Sequence, residues 1–235
     1  MYNVRLVCEG PTDHVLLEAL VFAHLNSPAF RISRIQPDES LYAGDAGPHG
    51  GGWKGVRGWC QSVREAGGLQ AVGVLPDDVD LLVIHVDADI LLDPEHDERN
   101  PCPPPNANIL ATEALVMRWL GLNSLPEKVL IWVPSMSTEA LLLRAVFPGL
   151  SESLSCLTIP PPAVCVECIE DPVAVLEGKN PKFVRRKGKD LKKLTRGYRD
   201  AVLVVSASWG DLTGSMWSAS RLQQGLSRWI PASAS

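Results

Sequence analysis

No stretch of the 235 residues approaches the roughly 20 consecutive apolar residues that a helical membrane span requires, so no membrane role is expected. The chain enters an apolar strand without a basic leader or a small-residue cleavage site, which makes a soluble, cytoplasmic protein the expectation. Six cysteines are too few for a disulfide scaffold at this length, and Cys8, Cys60, Cys102, Cys156, Cys165 and Cys168 are expected as reduced thiols. Cys165 and Cys168, with Cys156 as an outlier, lack the second pair of a zinc site; zinc there would need His96 or Cys102 as well. Gly-x-Ser-x-Gly, His-Glu-x-x-His and papain-type cysteine contexts are all missing, which removes support for the hydrolases built on them. "GGGWKG" has a Gly-x-Gly-x-x-Gly spacing but does not sit directly between a strand and a helix, so a dinucleotide cofactor is rejected. It reads as a flexible loop, with phosphate contact through Lys54 and Arg57 as the alternative. Asp93, Glu95, Asp97 and Glu98 lack the glycine and spacing of an EF-hand and are read as solvent-facing.

What is present is a hydrophobic fraction of 46%, enough to fill the core of one sizeable domain. The net charge of −5 hides an asymmetry. Residues 179–199, "KNPKFVRRKGKDLKKLTRGYR", carry ten Lys or Arg against the single acid Asp190, while the rest has 12 bases against 26 acids. An acidic body with one basic segment suits a protein that holds cations in one place and meets a polyanion in another; a solvated charged helix is the plainer reading of the run.

Apolar periodicity predicts strands at 4–8, 30–36, 80–89 and 128–135, and helices at 12–25, 56–66, 109–120 and 137–147. The strand "DLLVIHVDAD" is continuously apolar before its acids, as a central parallel strand covered on both faces would be. This alternation predicts an α/β fold with a mainly parallel, Rossmann-like sheet flanked by helices over 1–150. A basic, mostly helical extension over 151–235 is expected to pack on the same domain: "IPPPAVCVEC" as a connection, the basic run as a helix, "AVLVVSAS" as a strand or helix start, and "MWSASRLQQGLSRWI" as an amphipathic helix. Trp209, Trp217 and Trp229 read as packing residues, with base stacking as the alternative.

The acids fall at strand ends. Glu9 follows the first strand, and Asp87 and Asp89 close the central one at a spacing that puts both on one face while strand geometry persists. Parallel strands gather their carboxyl ends along one edge, where ligands bind. Carboxylates crowded there repel one another unless protonated or bridged, and Mg²⁺ favours such oxygen ligands. His85, two residues before Asp87, reads as a core histidine or a neighbour of the ligands, and His14 as a surface residue.

"VCEGPTDHVLLEAL" followed by "LLVIHVDAD" resembles the Toprim domain of topoisomerases, bacterial primases, small RNA-maturing nucleases and overcoming-lysogenization-defect nucleases. The resemblance covers about the first 145 residues, and "VPSMSTEALLL" extends it. It implies that Glu9 is the family's glutamate, Gly10 the tight turn after it, Asp13 the nearby acid, and Asp87 and Asp89 the paired aspartates. Ser135 or Ser137, with Glu139, would follow the next strand, Glu139 completing a second metal site. The implied chemistry is phosphodiester hydrolysis or transfer with Mg²⁺ or Mn²⁺, using Glu9, Asp87 and Asp89 either as ligands or, for Glu9, as general acid or base.

Three tyrosines and the absence of gate-sized domains exclude a topoisomerase, and no primase zinc module is present. What remains is a small standalone nuclease acting on DNA or RNA, with Lys182, Arg185, Arg186 and Lys187 on the phosphate backbone. The alternative is a catalytically silent subunit of a phage-defence or toxin-like system. Since no Gly-x-x-x-x-Gly-Lys-Ser/Thr is present, nucleotide-driven control would come from a separate ATPase subunit.

Overall fold

The structure, a computed structural model, describes residues 1–37, 47–96, 98–148 and 165–231. Asp97, Cys156 and parts of the glycine-rich and proline-rich loops lie outside the described residues. Four short segments, β1 (Tyr2–Val7), β2 (Phe30–Gln36), β3 (Leu81–His85) and β4 (Val129–Trp132), form one all-parallel sheet in the order β2-β1-β3-β4. The α/β class with a parallel sheet is therefore as the alternation predicts.

Each strand leads to a helix: α1 (Pro11–Leu25), α2 (Gly52–Glu65), α3 (Asn106–Leu120) and α4 (Glu139–Val146). The two-residue period of the strands divides their side chains between two cores. Val4, Leu6, Leu81, Val83 and Trp132 pack with Leu16 and Leu20 of α1 and Leu142 of α4. Val7, Leu82, Ile84 and Ile131 pack instead with Val56 and Cys60 of α2 and Val116 of α3. All of β3 is buried, which is why its sequence is apolar without alternation. The chain leaves β1 for β2 on one side and returns past β1 to β3 on the other. The carboxyl ends of β1 and β3 therefore flank a topological switch point, where an open α/β sheet forms a crevice.

The C-terminal part comprises α5 (Pro172–Lys179), β5 (Val184–Lys187), β6 (Asp190–Lys193), α6 (Thr195–Ala207), α7 (Trp209–Ser215) and α8 (Trp217–Trp229). Tyr198, Val205, Leu212, Leu222 and Leu226 share the buried cluster of α1 and β1, so these helices complete one face of the sheet. A Cβ on Gly225 would lie 2.5 Å from Leu130, so α8 reaches β4 closely enough to need glycine there. Trp209, Trp217 and Trp229 all pack against the two cores, which matches their reading as packing residues. Buried Glu167 accepts the Trp217 and Ser218 backbone N–H groups at 2.6 and 2.9 Å and so caps α8.

Three expectations are corrected. The basic run is not a helix: β5 and β6 form an antiparallel hairpin. Gly188, at φ +65° in the first central position of the turn between Lys187 and Asp190, provides the left-handed residue that a two-residue hairpin loop demands. α2 begins inside the glycine-rich run rather than at Val56, and of the two readings of "AVLVVSAS" the helical one holds, with residues 201–207 in α6. The cysteines are not all thiols. Cys102 and Cys168 are bonded with a Cα–Cα distance of 5.5 Å, and Cys165 is disulfide-bonded too, which overturns zinc binding through that pair. The loop before α3 and the turn before α5 meet there, joined also by Arg99 and Glu170 at 2.6 Å. Cys8 and Cys60 are buried thiols. Among the described residues no helix is long and apolar enough to cross a membrane.

Candidate metal centre

The acids at the strand ends converge. Glu9 stands just past β1, and its Oε1 accepts the backbone N–H of Asp87 at 2.8 Å, tying the exit of β1 to the exit of β3. The Glu9 carbonyl accepts the N–H of Gly52 at 2.9 Å, which holds the start of α2 against the same edge. Asp13 Oδ2 accepts the N–H of Gly10 at 2.8 Å and closes the first turn of α1. Gly10 itself is extended (φ −163°, ψ 179°), a conformation open to any residue, so the tight-turn role does not hold.

Strand geometry stops at His85, so the alternation that was to align Asp87 with Asp89 ends too early. Asp87 is still extended, but Asp89 sits in a short 3₁₀ turn, Ala88–Leu92. Its backbone N–H donates to the Met136 carbonyl at 3.0 Å, just beyond β4, and this brings Asp89 back to the edge. Glu9, Asp87, Asp89, Ser137 and Lys193 line one cavity of about 480 Å³, with Trp53 and Met136 among its walls.

Behind the cavity lies a dry network. Asp13, His85, Asp87, Thr138 and Glu139 are all at most 3% exposed. Asp13, His85 and Asp87 each offer a ligand atom within 4.8 Å of the others, the one such trio among the described residues; Glu9, Asp89 and Glu139 stand outside it. The Thr138 hydroxyl lies 3.0 Å from His85 Nε2, 3.0 Å from Asp87 Oδ1 and 3.3 Å from Asp13 Oδ1. A hydroxyl in contact with all three members fills the space they share, so the trio is a hydrogen-bonded unit. Its effect is to orient Asp87, whose Oδ1 also accepts the Thr138 N–H at 3.0 Å.

Glu139 opens α4 and is fully buried. Its Oε1 accepts the Tyr198 hydroxyl at 2.7 Å and lies 2.8 Å from Lys193 Nζ, while Oε2 has no partner among the described residues. The hydroxyls of Ser135 and Ser137 are also buried and have no partner among the described residues. Unsatisfied oxygens beside crowded carboxylates are what a hard dication would satisfy, and the donor set of oxygens suits Mg²⁺ or Mn²⁺.

The charges perturb one another accordingly. Burial, followed by Asp87, Asp89 and Asp13, holds Glu9 well above the usual carboxyl range. Asp89 is exposed at the cavity mouth, but the protein around its carboxyl, together with Asp87, pushes its pKa up to about 7. Burial raises Asp13 as well. Asp87 goes the other way: burial would raise it, but His85 and Lys193 outweigh that and lower it. His85 is raised, because Asp13 and Asp87 overcome its burial. Burial would lower Lys193, yet Glu139, Asp13 and Asp87 hold it well above the usual lysine range.

The basic residues sort by hairpin face. Lys193 pairs in register with buried Val184 and points inward; Arg185 pairs with Lys192, and both belong to the outer face with Lys187. Lys182, Arg185, Arg186 and Lys187 are all exposed. Lys182 and Arg185 line a second cleft with Arg196. Arg186 is engaged by Glu177 through a two-pronged ion pair, which makes it the least available of the four. Lys54 and Arg57 are paired with Glu95 at 3.0 and 2.7 Å and lie over Trp53, while Glu95 is exposed, as its solvent-facing reading has it.

The sequence reading missed Lys193, Tyr198 and the role of Thr138. The dipeptide Gly188-Lys189 between two basic runs was the available signal for the hairpin, and hairpin alternation would then have separated inward from outward lysines. Comparison of the chain with protein-family models, curated proteins and solved structures finds no match.

Proposed function

We propose that this chain is a Toprim-like nuclease that hydrolyses phosphodiester bonds of DNA or RNA with Mg²⁺ or Mn²⁺. The supporting observation is the gathering of Glu9, Asp13, Asp87, Asp89 and Glu139 from the ends of β1, β3 and β4 at the switch point, with Lys193 ion-paired to Glu139 among them. Five acids so placed need positive charge.

Glu9, Asp87 and Asp89 would hold the cation at the cavity. A bound dication supplies Lewis-acid polarisation of the phosphate and a more acidic water. The chain supplies the rest. Thr138 and His85 fix the Asp87 carboxylate so that it needs no reorganisation when substrate arrives. Lys193 lines the cavity and is placed to meet negative charge developing on the phosphoryl oxygens. Outside, Lys182, Arg185, Lys187 and Lys192 would position the backbone without reading sequence. The directly opposed pair Arg185 and Lys192 is unfavourable by itself and is relieved by a polyanion.

The test is cleavage of plasmid and RNA by purified protein with and without Mg²⁺ or Mn²⁺. Cutting should require the metal and disappear in Asp87→Asn; cutting that survives the substitution removes the assignment.

A second reading has one observation in its favour. Leu203 and Val204 of α6 are 78% and 46% exposed, a placement that suits contact with another protein. A silent subunit docking a separate ATPase would bind nucleic acid through the hairpin but cut nothing alone, and robust cutting by the isolated chain rejects it.

A further inference from the structure

We propose that the Lys193 ammonium occupies the inner pole of this centre in place of a second cation, so that the protein takes a single divalent ion. Glu9, Asp87 and Asp89 hold that ion, and Glu139 serves as the counter-ion of Lys193 rather than as a ligand. The inference rests on the metal-dependent reading above, and it departs from the second metal site that the family resemblance assigns to Glu139.

The inner pole is already furnished. Glu139 Oε1 takes two donors, Tyr198 at 2.7 Å and Lys193 at 2.8 Å. The space common to Asp13, His85 and Asp87 is taken by the Thr138 hydroxyl. Glu139 keeps one unpartnered oxygen, Oε2, but an ion there would share the carboxylate with the ammonium already on Oε1, and an ion among Asp13, His85 and Asp87 would compete with the Thr138 hydroxyl. The cavity beside Glu9, Asp87 and Asp89 is the open position.

Lys193 is also held in place, unlike a swinging surface lysine. Its backbone pairs in register with Val184, and the next residue, Leu194, donates its N–H to the Phe183 carbonyl at 2.7 Å. Gly197 rests so tightly on the strand entry that a Cβ there would lie 2.1 Å from the Lys182 carbonyl. That contact fixes α6 to the hairpin, and α6 carries Tyr198, the other donor to Glu139. Two elements thus deliver two donors to one buried oxygen, which is the construction of a permanent ion pair.

Mn²⁺ counting on the full chain, stripped with EDTA, tests this by calorimetric titration together with the free-ion electron paramagnetic signal. One ion is expected for the natural protein and for Lys193→Arg, and two for Lys193→Met, in which the vacated pole becomes a site. Metal-free Lys193→Met should also melt lower and recover more on adding Mn²⁺ than the natural protein does. Two ions in the natural protein overturn the inference and leave the nuclease reading intact; none overturns both. One ion in a folded Lys193→Met overturns the inference as well. Should that variant fail to fold, the counts for the natural protein and Lys193→Arg decide alone.

Discussion

Asp89→Asn should stabilise the metal-free protein and at the same time remove most of its response to metal. Asp89 carries a pKa of about 7 against an ordinary 3.8, so the folded state keeps a proton that the unfolded chain releases. The stability from this raised carboxyl is fully present below about pH 4 and is lost as pH rises through about 7. Asparagine cannot ionise, so its advantage over aspartate grows across that window and is complete at pH 8. Converted in full, the rise corresponds to about 4 kcal/mol. Because the Asp89 side chain is exposed at the cavity mouth, solvent screening reduces the expected gain to about 1–2 kcal/mol. For a chain of this size that is a rise in melting temperature of about 2–8 °C.

Saturating Mn²⁺ should reverse the order. An ion at a hundred times its dissociation constant stabilises by about 2.7 kcal/mol, a gain the natural protein shows and Asp89→Asn largely lacks. Differential scanning fluorimetry at pH 5 and pH 8, each with EDTA and with Mn²⁺, gives all four comparisons. If the variant melts below the natural protein at pH 8 in EDTA, or keeps the whole Mn²⁺ shift, the picture of acids held apart by mutual repulsion at the mouth of the cavity is wrong.

Removing both outer-face cations in Arg185→Ala/Lys192→Ala should flatten the salt dependence of duplex DNA binding, lowering the slope of log K against log salt by about 1.8 without changing the melting temperature appreciably. An unchanged slope in a filter-binding or anisotropy series would place the polyanion elsewhere. Thr138→Val keeps the shape but deletes the hydroxyl that touches Asp13, His85 and Asp87. Denaturant unfolding should show a loss of about 1–3 kcal/mol, larger than a surface Thr→Val exchange would give. Gly197→Ala drives a methyl into the Lys182 carbonyl and should cost about 1–3 kcal/mol or more in the same assay, whereas Gly178→Ala, which meets no atom within 4 Å, should be tolerated.

The parts of this centre that could be read from the sequence are those whose position follows from a strand end. Glu9, Asp13 and Asp87 are fixed by where β1 and β3 stop and by the first turn of α1, all visible in apolar periodicity. Asp89 was placed correctly for an incomplete reason: the strand ends before it, and a hydrogen bond to Met136, beyond β4, does what alternation was expected to do. Sheet order cannot be read this way, because nothing local to β2 states on which side of β1 it lies. Nor could the basic run be resolved, since ten cations weigh equally by composition and only the hairpin register turns one of them inward. The disulfide pairing of Cys102 with Cys168 depends on two loops meeting, which is likewise a property of the assembled fold.

That difference has a consequence for how the centre is built. Its acids come from the first, third and fourth strand–helix units, but the charge that balances them and the hydroxyl that shares Glu139 come from β6 and α6. The two contributions are joined by the apolar contact of α6 with α1, where Tyr198, Ala201 and Val205 are buried with Leu16 and Leu20. Packing that face therefore does electrostatic work. With α6 and the hairpin displaced, Glu139 would lose both of its donors inside a dry interior, and a buried, unpaired carboxylate is among the least tolerable of defects. The acidic edge of the sheet and the C-terminal helices are thus expected to fold as one cooperative unit. The alternation of the hairpin separates its cations: Lys193 on the inner face pairs with Glu139, and Arg185, Lys187 and Lys192 stand on the outer face, where the proposed reading puts the polyanion.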